Sequence, residues 1–292
     1  MANQQYFQKY NGIYNGLNEQ QKRAVDQIDG PVMVIAGPGT GKTQILAARI
    51  ANILLQTDAS PENILCLTYT DAGTIAMRKR LLEFIGPDAY RVSISTFHGF
   101  CNMVIQENLD VFGFRNLDPV SDLEQIQLLR DIIDDLPKNH ILKRYTGEVY
   151  YEVHRLLALF SIMKREDWTA EYLKERTKLY CEEIKTREAY IYKRGGKRKD
   201  GSTYSKGDLN EEKLIDELKR MEQLLAAVDL FEPFRQKLQL NNRFDFSDMI
   251  LWVIKAFREN AGLLSDFQER FLYLLVDEFQ DTSGSQNDLL QL

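Results

Sequence analysis

The chain has 292 residues, of which 44% are hydrophobic and 11% aromatic, enough apolar material for one or two cores. No run approaches the roughly 18 apolar residues of a membrane span, and the first residues, MANQQYFQKYNG, lack the features of a signal peptide, so the expected compartment is the cytoplasm. The net charge of -6 argues against a protein whose whole surface grips a polyanion, and the three cysteines (Cys66, Cys101 and Cys181) lack metal-ligand spacing and predict neither a zinc site nor a disulfide framework.

The first apolar run, residues 32–35, predicts a buried strand, and the loop AGPGTGKT follows it over residues 36–43. A strand, such a loop and then a helical pattern are typical of a phosphate-binding loop, in which backbone N–H groups and a helix N-terminus hold phosphates. Lys42 would reach the β- and γ-phosphates of ATP, and the Thr43 hydroxyl would bind Mg²⁺. A purely structural glycine-rich turn is the alternative, since Ala36 replaces the glycine of the strict pattern. The residues expected to hold the nucleotide here are Gly37, Pro38, Gly39, Thr40, Gly41, Lys42 and Thr43.

Two further runs, residues 64–67 and 92–95, predict strands, and a helical pattern over 75–85 follows the first of them. The run 64–67 has no polar alternation, which suits a strand buried on both faces of a parallel sheet. The run 92–95 alternates and is expected nearer an edge. Alternating strands and helices indicate an α/β nucleotide-binding core.

From about residue 111 to 240 the pattern changes to charged helical segments without a convincing strand. We therefore predict an all-helical domain, residues 111–240, inserted into an α/β core formed by residues 1–110 and 241–292.

A basic segment lies within this predicted insertion. Residues 185–206 contain eight basic and two acidic side chains, with turn signals at Gly195-Gly196 and Asp200-Gly201. The composition predicts a basic hairpin or loop; a solvated loop without a partner and a contact to duplex DNA both remain open.

A last apolar run, residues 273–276, predicts the closing strand, and the hexapeptide DEFQDT follows it over residues 277–282. An aspartate at such a strand end can hold Mg²⁺, and the next carboxylate can orient or deprotonate an attacking water. This predicts Asp277 and Thr43 as metal-binding residues and Glu278 and Lys42 as catalytic residues. An acidic helix cap is the alternative.

The phosphate-binding loop and the hexapeptide together resemble the UvrD/Rep/PcrA-like superfamily 1 DNA helicases. The resemblance implies a RecA-like P-loop NTPase core that hydrolyses ATP, translocates on single-stranded DNA in the 3′-to-5′ direction and unwinds duplex DNA. Residues 17–21 resemble the family's adenine-reading motif, in which Gln21 would contact the base. Asn18 and Gln21 also fit a helix capping box, and both roles can hold together.

Two segments after the middle strands resemble the family's DNA-facing motifs. The resemblance implies DNA contacts from Tyr69 and Thr70 in the first and from Thr96, Phe97 and His98 in the second. Tyr69 offers a ring for base stacking, while a buried core tyrosine is the alternative. Relatives usually carry lysine and glutamate where this chain has Ala72 and Ala76. A third segment, residues 244–249, is expected to serve packing and positioning.

The resemblance extends to an amino-terminal portion only, because arginine-bearing later motifs have no candidate among residues 1–292. We therefore expect the carboxy-terminal half of the same helicase as a partner, and we expect residues 1–292 alone to bind ATP and Mg²⁺ weakly without unwinding DNA. The fold's usual strand order also implies that a strand is missing between the loop strand and the closing strand, which leaves the sheet incomplete. A small-molecule kinase and a nucleotide-dependent interaction module are the alternative functions.

Overall fold

The computed structural model describes residues 2–37, 39–113, 118–143, 149–197 and 201–292, with the backbone alone for residues 2–7. The helices are α1 (Ala2–Asn15), α2 (Glu19–Asp26), α3 (Lys42–Gln56), α4 (Asp71–Ile85), α5 (Phe97–Glu107), α6 (Leu109–Phe112), α7 (Asp122–Asp135), α8 (Val153–Arg165), α9 (Ala170–Glu183), α10 (Glu211–Val228), α11 (Phe231–Leu240), α12 (Phe246–Glu259), α13 (Ala261–Arg270) and α14 (Gly284–Leu290). The strands are β1 (Ile64–Thr68), β2 (Ser93–Thr96), β3 (Asp118–Pro119), β4 (Gly196–Lys197), β5 (Thr203–Tyr204), β6 (Arg243–Phe244) and β7 (Tyr273–Val276). Within these ranges the helices fall short of the length and apolarity that crossing a membrane requires.

The chain divides into two compact units. Unit 1 comprises residues 1–114 and 246–292, and unit 2 comprises residues 115–245. The divisions lie a few residues beyond the predicted boundaries at 110 and 240.

A parallel sheet forms the centre of unit 1, with β1 between β2 and β7. Thr68 of β1 is in register with Thr96 of β2, and Leu67 of β1 with Val276 of β7. The carboxyl ends of all three strands therefore lie at the same edge, which brings the segments that follow them together.

Helices cover both faces of β1, as the absence of polar alternation in its sequence predicts, whereas Leu274 of β7 is 46% exposed. Ile64 and Cys66 belong to a core shared with residues of α1, α2, α3 and α4. Leu65 and Leu67 alternate with them and are also buried, on the side where α5 packs on β1 and α12 packs on α5. The buried thiol of Cys66 is part of this packing, and burial raises its pKa to about 12.

The prediction of a strand at residues 32–35 was wrong. Residues 31–37 have no strand assignment, and the side chains are exposed, Met33 at 74% and Ile35 at 91%. An apolar run forms a buried strand only when a hydrogen-bonding neighbour is present, and among the described residues β7 pairs with β1 alone. The sheet therefore has three strands among the described residues, and the expected missing strand beside β7 stays a prediction.

Unit 2 is mainly helical, but the prediction that it is all-helical was wrong. Its core joins α7, α8 and α11 with the carboxyl end of α10. Two small sheets accompany the helices: β3 pairs in parallel with β6, which joins the beginning of the unit to its end, and β4 forms an antiparallel hairpin with β5. Each of these strands has two residues, too few for a period-two pattern to be recognised in the sequence.

An ion pair between a buried lysine and a partly exposed aspartate holds the end of unit 2 against α8. The side chain of Lys164 is 1% exposed and that of Asp245 is 23% exposed, and Nζ of Lys164 lies 2.6 Å from Oδ2 of Asp245. Arg243 adds more exposed contacts nearby, donating through Nε to Glu124 at 3.0 Å and through Nη1 to Asp118 at 3.1 Å. Removing one partner of a buried pair is costly because the other charge stays in a poorly solvated place.

Replacing Asp245 by asparagine is expected to lower the free energy of unfolding by about 3 kcal/mol, because the Lys164 ammonium then stays buried without the carboxylate beside it. The double variant Lys164→Met with Asp245→Asn should lose clearly less, since it carries neither charge. Lys174→Met is the control: Lys174 pairs with Asp229 at 2.6 Å on the surface, where solvent screens the charges, so little change is expected. Denaturant titration followed by circular dichroism measures all three, and equal losses from both single variants would contradict the special role of the buried pair.

Candidate nucleotide and nucleic-acid site

The glycine-rich loop meets the amino end of α3 in a conformation that needs glycine. Gly39 has φ +73° and Gly41 has φ +85°, and Gly41 is the N-cap residue of α3. Thr40 closes the turn by donating from Oγ1 to the carbonyl oxygen of Gly37 at 2.7 Å. Pro38 lies outside the described residues. Residues other than glycine rarely adopt these positive φ angles, so the shape of the loop favours glycine at both positions.

The amino end of α3 has no side-chain cap. Its first N–H groups therefore have no intrahelical acceptor, and the helix dipole is positive at this end. Lys42 is the first residue of the helix and Thr43, which is half-buried, is the second. This combination of free donors, positive potential and a lysine suits an anion such as a phosphate.

Gln21 contacts the loop from α2. Its side chain and Asn18 form the capping box at the start of this helix, with both hydrogen bonds at 2.9 Å, as predicted. Its Nε2 also donates to the carbonyl oxygen of Thr40 at 3.2 Å. The contact leaves Gln21 beside the phosphate-binding loop, while its predicted contact with adenine stays a prediction.

Arg49 of α3 positions α2, and the sequence reasoning missed it. Its Nη1 donates to the carbonyl oxygens of Ala24, at 2.7 Å, and Gln27, and its Nη2 donates to that of Ile28 at 3.2 Å. Burial lowers the pKa of this guanidinium. A single cation within the sequence ILAARIANILL, whose only other polar residue is Asn52, was the signal that could have identified it.

The carboxylates at the end of β7 lie close to the loop lysine. The Nζ of Lys42 is 4.0 Å from Oε2 of Glu278. Asp277 is buried at the strand end, where its N–H donates to the carbonyl oxygen of Leu67 at 2.8 Å, and its Oδ1 accepts from the N–H of Glu278 at 3.0 Å. The structure thus brings together two segments that are far apart in sequence, as their predicted chemistry requires.

Glu278 has an unusual backbone conformation and a side-chain partner that the sequence reasoning missed. Its φ of +51° lies in the left-handed region, where a residue with a side chain is strained by about 1–3 kcal/mol. Gln280 donates from Nε2 to Oε2 of Glu278 at 2.5 Å and to Oδ2 of Asp281 at 3.1 Å. The amide thus fixes the Glu278 carboxylate on the side where Lys42 lies.

The residues present fit a magnesium ion. Burial raises the pKa of Asp277, and the Glu278 charge adds to this effect, while the positive charge of Lys42 opposes it. A divalent cation would favour the ionised form of such a carboxylate. The described residues contain no cluster of three or more His, Cys, Asp and Glu side chains suited to a metal. Mg²⁺ does not need one, because it is commonly held by one or two protein oxygens together with phosphates and water.

The segments after β1 and β2 lie side by side because their strands are neighbours. Tyr69 is 55% exposed, so the alternative of a buried core tyrosine is wrong. Thr70 caps α4 by accepting the Gly73 N–H at 3.0 Å, and Thr96 caps α5 in the same way by accepting from Gly99 at 3.1 Å. Both threonines therefore serve as helix caps at the edge of the sheet where Tyr69 is exposed.

The predicted DNA contact of Phe97 was wrong. This ring is 2% exposed, because the first residue of α5 faces the core rather than solvent. His98, the next residue, is half-buried and meets the edge of Phe246, with ring centroids 6.4 Å apart. Phe246 itself is 61% exposed and was expected only to serve packing and positioning. At this edge of the sheet the exposed aromatic ring is therefore that of Phe246, whereas the ring of Phe97 is buried.

Comparison with known proteins identifies relatives over nearly the whole chain. A family model described as the UvrD/REP helicase N-terminal domain matches residues 17–292. The chain is 26% identical over 284 residues to the ATP-dependent DNA helicase PcrA of Staphylococcus aureus (strain Mu50 / ATCC 700699), 97% of this chain and 32% of the relative. It is also 26% identical over 282 residues to the PcrA of Bacillus subtilis (strain 168), 96% of this chain and 31% of the relative. The chain thus spans about a third of the length of these relatives.

Replacing Gly41 by alanine is expected to weaken binding of ATP in the presence of Mg²⁺ by roughly 10-fold, because a φ of +85° disfavours a side chain by about 1–2 kcal/mol and the loop must change shape. Gly113→Ala is the matched control, since Gly113 is also left-handed, with φ +64°, and ends α6 away from the loop. Both variants should lose similar stability, and calorimetric titration should find weaker binding for Gly41→Ala alone. Equal affinities would exclude this loop as the phosphate cradle.

Proposed function

The chain belongs to the UvrD/REP helicase N-terminal domain family, and on this premise we propose that it is the ATP-binding portion of an ATP-dependent DNA helicase. The helicase would translocate on single-stranded DNA in the 3′-to-5′ direction and unwind duplex DNA. One observation carries the proposal: Nζ of Lys42 and Oε2 of Glu278 are 4.0 Å apart, so the phosphate-binding loop and the acidic motif serve one site. We further propose that unit 1 is a RecA-like core and that unit 2 is a domain inserted into it.

The nucleotide would be held mainly by backbone and by Lys42. The uncapped N–H groups of α3 would donate to the phosphates, and the open conformations of Gly39 and Gly41 leave space for their approach. In the free protein the ammonium of Lys42 faces Glu278; with ATP bound it would turn to the β- and γ-phosphates. The amide of Gln21, already beside Thr40, would contact adenine.

Hydrolysis would use the two carboxylates differently. Asp277 and Thr43 would hold Mg²⁺, which neutralises charge on the phosphates when bound. Glu278, more exposed than Asp277 and held by Gln280, would orient the attacking water and accept its proton. Arginines from the carboxy-terminal half of the helicase would stabilise the transferring phosphoryl group, so we propose that residues 1–292 alone hydrolyse ATP slowly and do not unwind DNA.

Single-stranded DNA would bind at the edge of the sheet where β1 and β2 end. Tyr69 and Phe246 expose aromatic rings there, and His98 lies beside Phe246. Bases of any sequence can stack on such rings. Thr70 and Thr96 would support this surface as helix caps, and backbone groups at these helix starts can donate to phosphates.

Lys42→Ala is expected to weaken ATP binding by residues 1–292 by about 10- to 150-fold, because a hydrogen bond to a charged group contributes about 1.5–3 kcal/mol. In the protein that includes its carboxy-terminal half, the same change should abolish hydrolysis and leave affinity for single-stranded DNA largely intact. Lys79→Ala, which removes an exposed lysine of α4, is the control. Fluorescent-nucleotide titration and a phosphate-release assay measure the two effects; parallel loss of ATP and DNA binding would count against the assignment.

Tyr69→Ala is expected to weaken binding of an oligothymidylate by about 5- to 150-fold, because base stacking on an aromatic ring contributes about 1–3 kcal/mol. Tyr90→Ala is the control, since Tyr90 is equally a surface tyrosine of unit 1 but lies before β2, at the opposite end of the strand. Fluorescence anisotropy measures both affinities. If the two variants bind equally well, the DNA surface does not include Tyr69.

A further inference from the structure

The hairpin of unit 2 is an ordered element with a longer ladder than its two short strands suggest. We define the basic hairpin as residues 190–197 and 201–210. Closer to the helices than β4 and β5, the backbone N–H of Tyr192 donates to the carbonyl oxygen of Asp208 at 2.9 Å. The carbonyl oxygen of Tyr192 accepts from the N–H of Gly207 at 3.0 Å. Ile191 and Leu209 form a further bridge. These contacts connect the base of the hairpin to β4 and β5 through paired backbone.

The base of the basic hairpin is anchored in a small core between α9 and α10. Tyr190 is buried there with Ile184 and Leu214. The Oη of Tyr190 lies 3.3 Å from that of Tyr180, which donates to Glu217 at 3.1 Å. The hairpin is therefore fixed to the helices that flank it in sequence.

Two tyrosines stiffen the middle of the basic hairpin. The rings of Tyr192 and Tyr204 are stacked, with centroids 3.7 Å apart and planes inclined by 19°. Tyr204 also covers Gly196 so closely that a Cβ added there would lie 2.5 Å from its Oη. A side chain at position 196 would therefore displace the Tyr204 ring, and the stack orders both strands of the hairpin.

The basic hairpin exposes cations that have no carboxylate beside them in the described part of the chain. Lys193, Arg194, Lys197 and Lys206 are all exposed, and their charged nitrogens form no ion pair within those residues. The one carboxylate of the described hairpin, Asp208, accepts the Ser205 N–H at 2.7 Å. Elsewhere in unit 2 basic side chains do pair with carboxylates, for example Lys174 with Asp229 at 2.6 Å.

We propose that the basic hairpin binds the phosphate backbone of DNA, at a site separate from the single-strand surface of unit 1; the choice of DNA as the polyanion rests on the proposed function. A chain with a net charge of -6 that gathers unpaired cations on one stiff hairpin matches a partner with closely spaced negative charges. Residues along a strand rise about 3.3 Å each and alternate residues share a face, so long side chains from one face can reach neighbouring phosphates. A lysine ammonium that contacts a phosphate does not contact the base, so this binding is independent of the DNA sequence.

The test removes the four charges together, with Lys193→Gln, Arg194→Gln, Lys197→Gln and Lys206→Gln in the chain of residues 1–292. The matched control removes four exposed charges of unit 2 outside the hairpin, with Lys138→Gln, Arg176→Gln, Lys178→Gln and Lys219→Gln. Both variants change the net charge by the same amount. Affinities for a blunt 20-bp duplex and for a 20-residue oligothymidylate are measured by fluorescence anisotropy between 50 and 200 mM salt, and thermal unfolding confirms that each variant is folded.

The affinity of the hairpin variant for DNA is expected to depend less steeply on salt, because each phosphate contact contributes roughly 0.9 to the slope of log affinity against log salt. With four contacts, the parent should lose about 10²-fold more affinity than the variant across this salt range. A reduced slope with the duplex identifies duplex DNA as the source of the phosphates, and one with the oligothymidylate alone identifies the single strand. Unchanged slopes with both DNAs, or equal reductions in the control variant, would overturn the proposal.

Two further measurements separate this proposal from others. Gly196→Ala keeps every charge but disturbs the packing under Tyr204, and it should weaken DNA binding several-fold; full affinity in a folded variant would show that the ordered hairpin is not needed. Polyglutamate that competes as well as DNA for the hairpin would also overturn the choice of a nucleic acid. If Tyr69→Ala has no effect while the hairpin variant loses its salt dependence, the single-strand surface fails and the hairpin proposal stands.

Discussion

Parallel pairing of β1 with β7 is the constraint on which the candidate site depends. It puts Asp277 at the same edge of the sheet as Tyr69, with the Asp277 N–H bonded to the strand that leads to the tyrosine. The ion pair between Lys42 and Glu278 is too weak to hold the loop against the end of β7, because both side chains are partly exposed and such a pair contributes only about 0–1 kcal/mol. The 4.0 Å distance between the two groups is a consequence of the positions of the sheet and α3. The site is therefore held by backbone hydrogen bonds and by the core beneath it.

The same site contains features that oppose stability. A buried aspartate whose pKa is raised by burial and a glutamate with a left-handed backbone both raise the energy of the folded chain. A divalent cation beside Asp277 would favour the ionised form of this carboxylate, which burial opposes. The neighbouring amide of Gln280 donates to the Glu278 carboxylate and holds it in place.

Local chemistry could be predicted from the sequence, whereas partners distant in sequence could not. The glycine-rich loop and the acidic motif are short segments that could be recognised without their surroundings, and the structure places Lys42 and Glu278 4.0 Å apart. Three of the four predicted strands are present, at β1, β2 and β7. The apolar run at residues 32–35 shows what the sequence could not predict. A strand needs a hydrogen-bonding neighbour, and the residues of the run do not specify which segment that is. Phe97 and Phe246 show another: the ring within the DNA-facing motif lies in the core, and an exposed ring comes from a distant segment. Which side of a helix start faces solvent depends on packing that the motif does not encode.

The two proposed DNA contacts, at the edge of the sheet in unit 1 and at the basic hairpin, would differ in kind. At the edge of the sheet Tyr69 and Phe246 expose aromatic rings, on which bases could stack. The hairpin presents lysines and an arginine without carboxylate partners in the described residues, and binding through counterion release weakens steeply as salt rises. A net charge of -6 is compatible with both proposals, because the local charge of a surface, rather than the net charge of the chain, decides whether DNA can approach it. An acidic composition would thus restrict where a polyanion binds rather than exclude it.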